Sequence, residues 1–465
     1  MDIMQFRNIA VPSRRAFLSS SGLGLLAGSS RLSGVGLAES ILTPDPDQYQ
    51  SISLTTHEWF GDTDERLDLP RDWGVDTQHM AGHNKPVLSA EDIRQRINQP
   101  YDTKTIRDIA AGKRTAVIIF DDITRATPAH VVAPVIIDEL KAGGIKDEHI
   151  LFVCMLGTHR GATQPEIRAK LGDAIVDRYP WINHNCHDNF IELGRTSQNN
   201  LIKINHYVMQ ADIKISISGI KTHGHPGYSG GAKAILPGVA SLDSIQYMHG
   251  TIPGVPGNRN PTVGKGRIYH NDCRHDMEEA ARMAGLDFTV QLIINGRREI
   301  IGLYAGDVVE AFRPAVHYAN KQYRTDIAQE ADVVIVNCYP RNMQEYGFQW
   351  ANRSLKPGGT AIVIWQHPLG KYTLHYWNER RDYNAKSFWD NRRVADPLEN
   401  AGRLIIFSQY INQREMQRYV PDKVHLVRSW GDVLTMLHKW HGPSTRVAVY
   451  PYAGLQHEPI ALDSA

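Results

Sequence analysis

Runs of consecutive apolar residues alternate with amphipathic segments along most of the chain after residue 50. The segment 129–142 carries apolar residues at helical spacing and stops at Gly143 and Gly144, which is typical of a helix C-terminus. The apolar runs that predict buried strands lie at 115–120, 150–156, 211–220, 331–337, 359–365, 404–407 and 446–450. This alternation predicts an α/β fold with two α/β domains, residues 51–325 and 326–465, and a cofactor and substrate cleft between them.

Polar segments rich in glycine or threonine follow three of the predicted strands. They read "DDITRATP" at 121–128, "GTHR" at 157–160 and "HGHPGYSGGAKAILPG" at 223–238. Because ligands of open α/β sheets bind at the carboxyl ends of the strands, we expect these three segments to line one site. The third segment does not match a nucleotide-phosphate loop, since Ala232 and Ala234 flank its lysine where that motif has Gly and Ser or Thr.

The first 38 residues have the features of an export signal. Paired arginines in "SRRAFL" at 13–18 precede a short apolar run diluted by Gly and Ser, and Ala38 stands at a small-residue cleavage position. The run is too short and too interrupted to span a bilayer, so no membrane anchor is predicted. We expect 1–38 to be a twin-arginine (Tat) signal, 39–50 to be a flexible lead-in, and the folded protein to reach the periplasm through the Tat machinery. A basic tail without a targeting role is the alternative.

Charge and cysteine content narrow the classes of function. The 465 residues include 51 basic and 50 acidic side chains, a formal net charge of +1, so neither nucleic acid nor an anionic membrane is an expected partner. The cysteines form no CxxC pair, which disfavours a zinc site and leaves three disulfide pairings open among Cys154, Cys186, Cys273 and Cys338. The cluster "HNCH" at 184–187 matches no familiar metal-site spacing, and we interpret it as a polar loop.

Taken together, these segments resemble the nickel-dependent lactate racemase family, which comprises hydroxyacid racemases and epimerases that carry a nickel-pincer nucleotide. The resemblance runs over nearly the whole chain after the signal, and the glycine-rich segment is its most specific part. It also includes "DMEEAARMAGLDFTVQLIINGRREIIGLYAGD" at 276–307 and "VAVYPYAG" at 447–454. The resemblance implies an isomerase that interconverts stereoisomers of a 2-hydroxy acid by hydride abstraction and return through a 2-oxo intermediate.

The resemblance also implies a cofactor and the residues that hold it. Lys233 matches the lysine that is joined in this family to the nickel-pincer nucleotide (pyridinium-3,5-bisthiocarboxylic acid mononucleotide nickel). His249 matches the histidine that completes the square-planar nickel site, a geometry that suits Ni(II). Glycines here are expected to let the backbone lie flat against the cofactor. Further cofactor contacts are expected at Tyr228, Ser229, Gly230 and Gly231. Cofactor-synthesis enzymes are then expected partners.

The catalytic side chains follow from the same resemblance. His159 and His223 match the two catalytic histidines of the family, and two bases are needed because the two enantiomers present their hydroxyl groups to different sides of the site. Arg125 is the predicted clamp for the substrate carboxylate, since a guanidinium group binds a carboxylate through two parallel hydrogen bonds. Asp122 is predicted to orient a histidine or the arginine. A purely structural role is the alternative for each of these side chains.

The C-terminal region departs from the family pattern. In "CYPRNMQEYGFQWANRSL" at 338–355, Gln349 and Asn352 stand nearest to the Gln-x-x-Lys pair of the family, so a positive charge is lost and aromatic bulk such as Trp350 is gained. We expect these three residues to contact a 2-hydroxy acid that is lactate-like or larger. The alternatives are a sugar or polyol epimerised with the same cofactor, and a periplasmic binding protein for small organic acids. A binding protein leaves the lysine and histidines in the loops unexplained.

Overall fold

The computed structural model describes residues 47–255, 257–341, 344–369, 398–412 and 424–464, with the backbone alone for 344–346. The predicted Tat signal and most of the predicted lead-in lie outside these residues. The first described strand begins at Tyr49, inside the C-terminal end of the expected lead-in.

The described strands and helices alternate over most of the chain. The strands are β1 (Tyr49–Thr55), β2 (Asp64–Pro70), β3 (Gly74–Thr77), β4 (Ala116–Asp121), β5 (Ile150–Met155), β6 (Trp181–Asn183), β7 (Phe190–Arg195), β8 (Leu201–Asn205), β9 (Ile213–Gly219), β10 (Thr222–His223), β11 (Gly227–Tyr228), β12 (Gly254–Val255), β13 (Asn258–Arg259), β14 (Phe288–Ile294), β15 (Ile300–Gly306), β16 (Ala331–Asn337), β17 (Leu355–Ile364), β18 (Ala401–Phe407), β19 (Val424–Val427) and β20 (Arg446–Tyr450). The helices are α1 (Ala90–Asn98), α2 (Ile106–Ala110), α3 (Ala129–Ala142), α4 (Gln164–Leu171), α5 (Asp173–Arg178), α6 (His206–Gln210), α7 (Leu242–Gln246), α8 (Asp272–Met283), α9 (Phe312–Tyr323), α10 (Gln344–Ser354) and α11 (Trp430–Trp440).

The first sheet has the strand order β15-β14-β9-β4-β5-β6, and every pairing is parallel except that of β14 with β15. Its central strand β4 is buried along its whole length. Alternate residues of β4 belong to different hydrophobic cores, with Ile118 and Phe120 on one face and Val117 and Ile119 on the other. A continuous apolar run is what a strand covered on both faces requires, which explains why the sequence predicts it as buried.

The second sheet has the order β19-β18-β17-β16-β20-β3, and all of its pairings are parallel. Its inner strands overlap the four C-terminal apolar runs. The predicted α/β fold class is confirmed: both sheets are mainly parallel, and helices pack against them.

The N-terminal strands pair and pack with the second sheet. Strand β3 pairs with β20, and Leu54, Leu67 and Trp73 pack in the same core as Ile335 of the second sheet. Residues 49–77 therefore contribute to the second sheet and its core, although the prediction placed 51–77 with the first. Local periodicity cannot reveal this, because the pairing joins residues more than 370 positions apart. The domain division at 325/326 stays a prediction.

Two further expectations concern membranes and cysteines. Within the described ranges, no helix is long and apolar enough to cross a bilayer. All four cysteines are described, and each is a buried free thiol, so none of the three disulfide pairings forms.

Candidate active site

A cavity of about 510 Å³, here called the main cavity, opens beside the carboxyl ends of β9, β4 and β5, which are neighbours in the first sheet. Each of the three polar segments contributes to its wall. The predicted site residues that line it are Asp122, Arg125, His159, His223, Ser229, Gly230, Lys233 and His249. The expected meeting of the three segments is therefore observed, because parallel neighbouring strands end at the same edge.

Asp122 and His159 are in close polar contact at the wall of the main cavity. Nδ1 of His159 lies 2.5 Å from Oδ2 of Asp122, and Oδ1 of the same carboxylate accepts hydrogen bonds from the Thr124 hydroxyl (2.5 Å) and backbone N–H (3.1 Å). Burial alone would raise the pKa of Asp122, but the charges of His159 and Arg125 and these hydrogen bonds hold it well below its usual range. A carboxylate can only accept, so the network assigns the hydrogen to Nδ1 of His159 and leaves Nε2 as a proton acceptor.

A buried lysine fixes the loop that carries Asp122 and Arg125. Lys170 of α4 is 1% exposed, and its Nζ donates to Asp121 Oδ1 (2.6 Å) and to the backbone carbonyls of Arg125 (3.0 Å) and Thr127 (2.8 Å). The Arg125 guanidinium donates in turn to the Thr124 hydroxyl at 2.6 Å. Sequence reasoning missed Lys170, because one lysine in an ordinary amphipathic segment gives no signal of its buried partner.

Three further histidines of the main cavity lie close together. The ring centroids of His223 and His225 are 6.1 Å apart, and those of His225 and His249 are 5.7 Å apart. Nδ1 of His223 accepts the backbone N–H of His225 at 3.2 Å. Burial, with the charges of Lys233, His249 and His225, lowers the pKa of His223 well below its usual value, so its imidazole is neutral near pH 7.

Lys233 lies in a short 3₁₀ turn, Gly231–Ala234, that follows the glycine pair. Burial lowers the pKa of its amine well below the usual value, and the neighbouring guanidinium groups of Arg125, Arg274 and Arg341 lower it further. Among the described residues, none forms a hydrogen bond with its Nζ. The lowered pKa favours the neutral amine, which is the nucleophilic form of lysine.

Most glycines of this segment are required by packing within the protein, and the expected approach to the cofactor stays a prediction. A Cβ at Gly230, where φ is +87°, would lie 2.4 Å from Gln291 Oε1, and a Cβ at Gly238 would lie 2.2 Å from the Ala234 carbonyl oxygen. Gly224 differs, since it lines the main cavity and a Cβ there would meet no atom within 4 Å. Gly224 is therefore the glycine of this segment whose position faces open space.

Arg274 of α8 holds the glycine-rich segment in place. Its guanidinium is fully buried, stacks over the Phe312 ring at 4.1 Å, and donates to the backbone carbonyls of Pro226, Tyr228 and Gly230. Burial lowers the pKa of Arg274 to about 9. A segment this rich in glycine costs conformational entropy to order, and these carbonyl contacts offset that cost.

Two predicted cofactor contacts lie elsewhere. Among the described residues that line the main cavity, neither Tyr228 nor Gly231 is present. The Tyr228 ring is fully buried, and its hydroxyl donates to Asn320 Oδ1 at 2.8 Å. The N–H of Gly231 donates to Gln291 Oε1 at 2.9 Å. Both residues thus anchor the segment to α9 and β14, because their polar groups point into the protein.

His249 lies in a π-helical turn, Tyr247–Thr251, directly after α7. Such turns are rare and are frequent at functional sites. Its Nδ1 donates to the Ile245 carbonyl at 3.2 Å, which leaves the lone pair on Nε2, as in metal-binding imidazoles. In the part of the chain that the structure describes, no group of three or more His, Cys, Asp or Glu side chains could hold a metal ion. The "HNCH" cluster is no exception, since His184 is buried and bonded to the Ala240 carbonyl at 2.9 Å.

A second cavity of about 290 Å³, here called the outer cleft, shares Arg125, His159 and His223 with the main cavity. Gln349 and Trp350 of α10 line it, as expected of substrate contacts. Asn352 is not among the described residues that line either cavity, and its side-chain oxygen accepts the backbone N–H of Asn400 at 3.1 Å. The predicted substrate contact of Asn352 is therefore not supported by its position.

The outer cleft keeps positive charge, although position 352 carries Asn in place of the family lysine. Arg341 and Arg353 both line it, the first from the loop after β16 and the second from α10. Alignment by spacing cannot find them, because neither residue occupies the position of the family lysine.

Comparison with known proteins identifies the family. The family model of the lactate racemase N-terminal domain matches residues 60–259. A lactate racemase of Thermoanaerobacterium thermosaccharolyticum is 30% identical over 315 residues, which cover 65% of this chain and 72% of that protein. The chain belongs to the lactate racemase family. It is accordingly a racemase, which is an isomerase, and the alternative of a binding protein is not supported.

Other relatives extend the comparison to the whole fold. A lactate racemase of Lactiplantibacillus plantarum is 29% identical over 320 residues, covering 64% of this chain and 74% of that protein. The structure of the lactate racemase apoprotein from T. thermosaccharolyticum superposes with a TM-score of 0.62 at 21% identity, covering 88% of this chain and 99% of that one. A crystal structure of a Thermotoga maritima protein gives a TM-score of 0.57 at 17% identity, covering 79% and 98%. Like its relatives, this racemase uses a mainly parallel α/β fold.

Proposed function

We propose that this racemase interconverts the stereoisomers of a 2-hydroxy acid with a nickel-pincer nucleotide attached to Lys233. The observation that supports the proposal is the meeting of Lys233, His249, His159 and His223 around one cavity. Four side chains from three separate stretches of the chain are brought together, and each has the chemistry that its proposed role requires.

The residues of the main cavity fit this cofactor. The lowered pKa of the Lys233 amine suits covalent attachment, and the lone pair of His249 Nε2 suits a nickel ligand. A single histidine cannot hold nickel by itself, so the remaining ligands would have to come from the nucleotide. When bound, the nucleotide supplies an acceptor for the hydride of the substrate carbon.

The protein residues handle the substrate carboxylate and the hydroxyl proton. Arg125 binds the carboxylate at the junction of the two cavities. His159 accepts the hydroxyl proton at Nε2, and Asp122 stabilises the imidazolium that results. With the hydride removed, the substrate carbon becomes planar and can receive the hydride on its other face.

His223 serves the opposite stereoisomer in this proposal. Its Nδ1 accepts the backbone N–H of His225, so its own hydrogen lies on Nε2. To act as a base at Nε2, His223 must release that hydrogen bond and carry its hydrogen on Nδ1. The two histidines are therefore not equivalent, and His159 is the one already arranged as a base.

We also propose that the protein is exported in the folded state. Attachment of a cofactor made in the cytoplasm would require folding before transport, which is the service that the Tat machinery provides. Replacement of Arg14 and Arg15 by lysine should retain the protein in the cytoplasm, as measured by cell fractionation with a periplasmic and a cytoplasmic marker. Normal periplasmic delivery of that variant would contradict the export proposal.

Mass spectrometry tests the main proposal directly. Protein purified from cells that make the cofactor should carry an adduct on the peptide that contains Lys233, with about one nickel ion per chain by elemental analysis. The Lys233→Arg variant should carry neither, and its racemisation of 2-hydroxy acids, followed by chiral chromatography, should be lost. Full activity with an unmodified Lys233 would refute the proposal.

A further inference from the structure

The outer cleft carries more positive charge than a simple hydroxy acid needs. Four cationic side chains line it, and Glu458 is the one carboxylate among its described lining residues. The four cations are Arg125, Lys265, Arg341 and Arg353. Arg125 also lines the main cavity, where it is proposed to bind the carboxylate next to the reacting carbon. Of the two cavities, the other three cations line only the outer cleft.

Glu458 balances only part of this charge. Its carboxylate lies 2.9 Å from the Arg353 guanidinium and 3.6 Å from the Lys265 amine, so these three side chains together keep one positive charge. Arg353 and Lys265 are 40% and 35% exposed. Ion pairs this exposed are weak and can exchange their partners at little cost.

Arg341 is buried, and its backbone is fixed beside the outer cleft. It is 8% exposed, and its backbone N–H donates to the Cys338 carbonyl at 3.1 Å. Gly454 packs directly against it, since a Cβ at 454 would lie 2.7 Å from the Arg341 nitrogen and 2.8 Å from its Cβ. The "VAVYPYAG" segment therefore ends in glycine because the backbone of Arg341 passes so closely.

His457 gives a second, independent sign of a polar ligand. Its side chain is 2% exposed, and it lines the outer cleft. Nδ1 lies 2.6 Å from the Glu458 carbonyl oxygen, whereas the buried Nε2 has no hydrogen-bond partner among the described residues. A buried polar atom without a partner costs free energy, which a bound polar group at this place would recover.

We propose that the substrate is a 2-hydroxy acid with a second acidic group, which Arg341 and Arg353 bind in the outer cleft. This inference rests on the proposed function and names the substrate class. A methyl group such as that of lactate would form no hydrogen bonds with the cationic and polar side chains of the outer cleft. A second anionic group forms charge-assisted hydrogen bonds there. Carboxylate and phosphate share this chemistry, and the experiment distinguishes them.

The first test is binding, which does not depend on racemisation. Titration calorimetry on the purified protein compares malate and 3-phosphoglycerate with 2-hydroxybutyrate, lactate and gluconate. We expect an acid with two anionic groups to bind about tenfold or more tightly than 2-hydroxybutyrate, the matched monoacid of malate. If malate binds more tightly than 3-phosphoglycerate, the second acidic group is a carboxylate; if 3-phosphoglycerate binds more tightly, it is a phosphate.

Variants then assign the preference to the cleft. Arg341→Gln and Arg353→Gln should each weaken binding of the preferred substrate by about tenfold and change binding of 2-hydroxybutyrate less than threefold. Lys356→Gln is the matched control, because it removes one positive charge that pairs with Asp332 outside the cleft. Arg353 is 40% exposed, so its variant should fold even if the Arg341 variant does not.

The outcomes separate this inference from the proposed function. Tighter binding of lactate, 2-hydroxybutyrate or gluconate than of both doubly acidic compounds would overturn the substrate class, whether or not the loaded enzyme racemises any of them. Equal weakening of mono- and diacids by both arginine variants would also overturn it. Absence of racemisation together with the expected binding pattern would instead overturn the proposed function and leave the diacid site standing.

Discussion

Asp122 Oδ2 and His159 Nδ1 lie 2.5 Å apart across two neighbouring strands of the first sheet. Asp122 follows β4 directly, and His159 follows β5 after a turn in which the Gly157 N–H donates to the Gly238 carbonyl at 2.9 Å. The pair therefore depends on the order of strands in the sheet and on the end of the glycine-rich segment. It couples a buried carboxylate to the imidazole that the proposed reaction uses as a base.

Replacement of Asp122 by Asn should lower kcat strongly. The amide carries no charge to stabilise an imidazolium, and it no longer fixes the hydrogen on Nδ1 of His159. We expect a fall in kcat of about 10²- to 10⁴-fold, with little change in KM because Arg125 still binds the carboxylate. Steady-state racemisation with the nickel-loaded variant, followed by chiral chromatography, measures both constants.

Asp138→Asn provides the control for that variant. Asp138 is an exposed carboxylate on α3, 59% exposed and 3.8 Å from Arg94, so its loss should leave kcat unchanged. The role given to Asp122 is wrong if its variant keeps kcat within threefold of the parent while retaining its nickel and cofactor.

The strands and the edge at which the site lies could be predicted from the sequence. Buried parallel strands give unbroken apolar runs, and polar segments after them mark the ligand edge whatever the order of the strands. Helix α3 was predicted at its observed bounds because its apolar spacing and the two glycines after it agree. Asp122, His159 and Lys233 could be placed near one another for the same reason.

The supports of the site could not be predicted, because they depend on contacts between distant segments. Lys170 and Arg274 look like surface residues of amphipathic helices in the sequence, yet both are buried under the site loops. Tyr228 stands among cofactor contacts in the motif, but its ring turns into the core. Arg341 lines the outer cleft from a segment that Gly454 allows to pass closely.

His249→Ala should separate nickel binding from cofactor attachment. The variant loses the imidazole proposed as a nickel ligand, while Lys233 and the segment around it are unchanged. We expect the adduct on Lys233 to persist and the nickel content to fall several-fold after dialysis against a chelator. Elemental analysis and peptide mass spectrometry on the same sample measure the two quantities.

His270→Ala is the control for this variant, because His270 is exposed and its described polar contact is a backbone N–H that donates to Asp463. Unchanged nickel retention in the His249 variant would exclude His249 as the ligand, and loss of the adduct as well would show that His249 acts in attachment.

Lys170→Met should destabilise the protein through Asp121. The substitution removes the partner of a carboxylate that is 6% exposed and leaves its charge buried. Breaking a buried ion pair from one side costs about 3–5 kcal/mol, so the free energy of unfolding should fall by this amount in urea denaturation. The Asp121→Asn, Lys170→Met double variant should recover part of the loss, because the amide carries no charge to bury. Additive losses in the double variant would contradict the coupling.

Glu166→Gln should lower stability at neutral pH but not in acid. The Glu166 carboxylate accepts hydrogen bonds from the Thr163 N–H (2.7 Å) and from the Arg160 guanidinium (2.5 Å), next to His159. Burial would raise the pKa of Glu166, but these partners together lower it below its ordinary value of 4.5. A carboxyl group with a lower pKa in the folded state stabilises the fold above its unfolded pKa, and this contribution is lost as the pH falls through the folded pKa.

We therefore expect the free energy of unfolding of the Glu166→Gln variant to be about 1–3 kcal/mol lower than that of the parent at pH 7. This difference should shrink as the pH falls below about 4.5. Urea denaturation of both proteins between pH 7 and pH 3 measures this difference. Asp173→Asn is the control, since Asp173 is 79% exposed and its contact with Arg168 should contribute little at any pH. A loss in the Glu166 variant that stays constant down to pH 3 would show that packing of the side chain, rather than its charge, holds Arg160 beside the site.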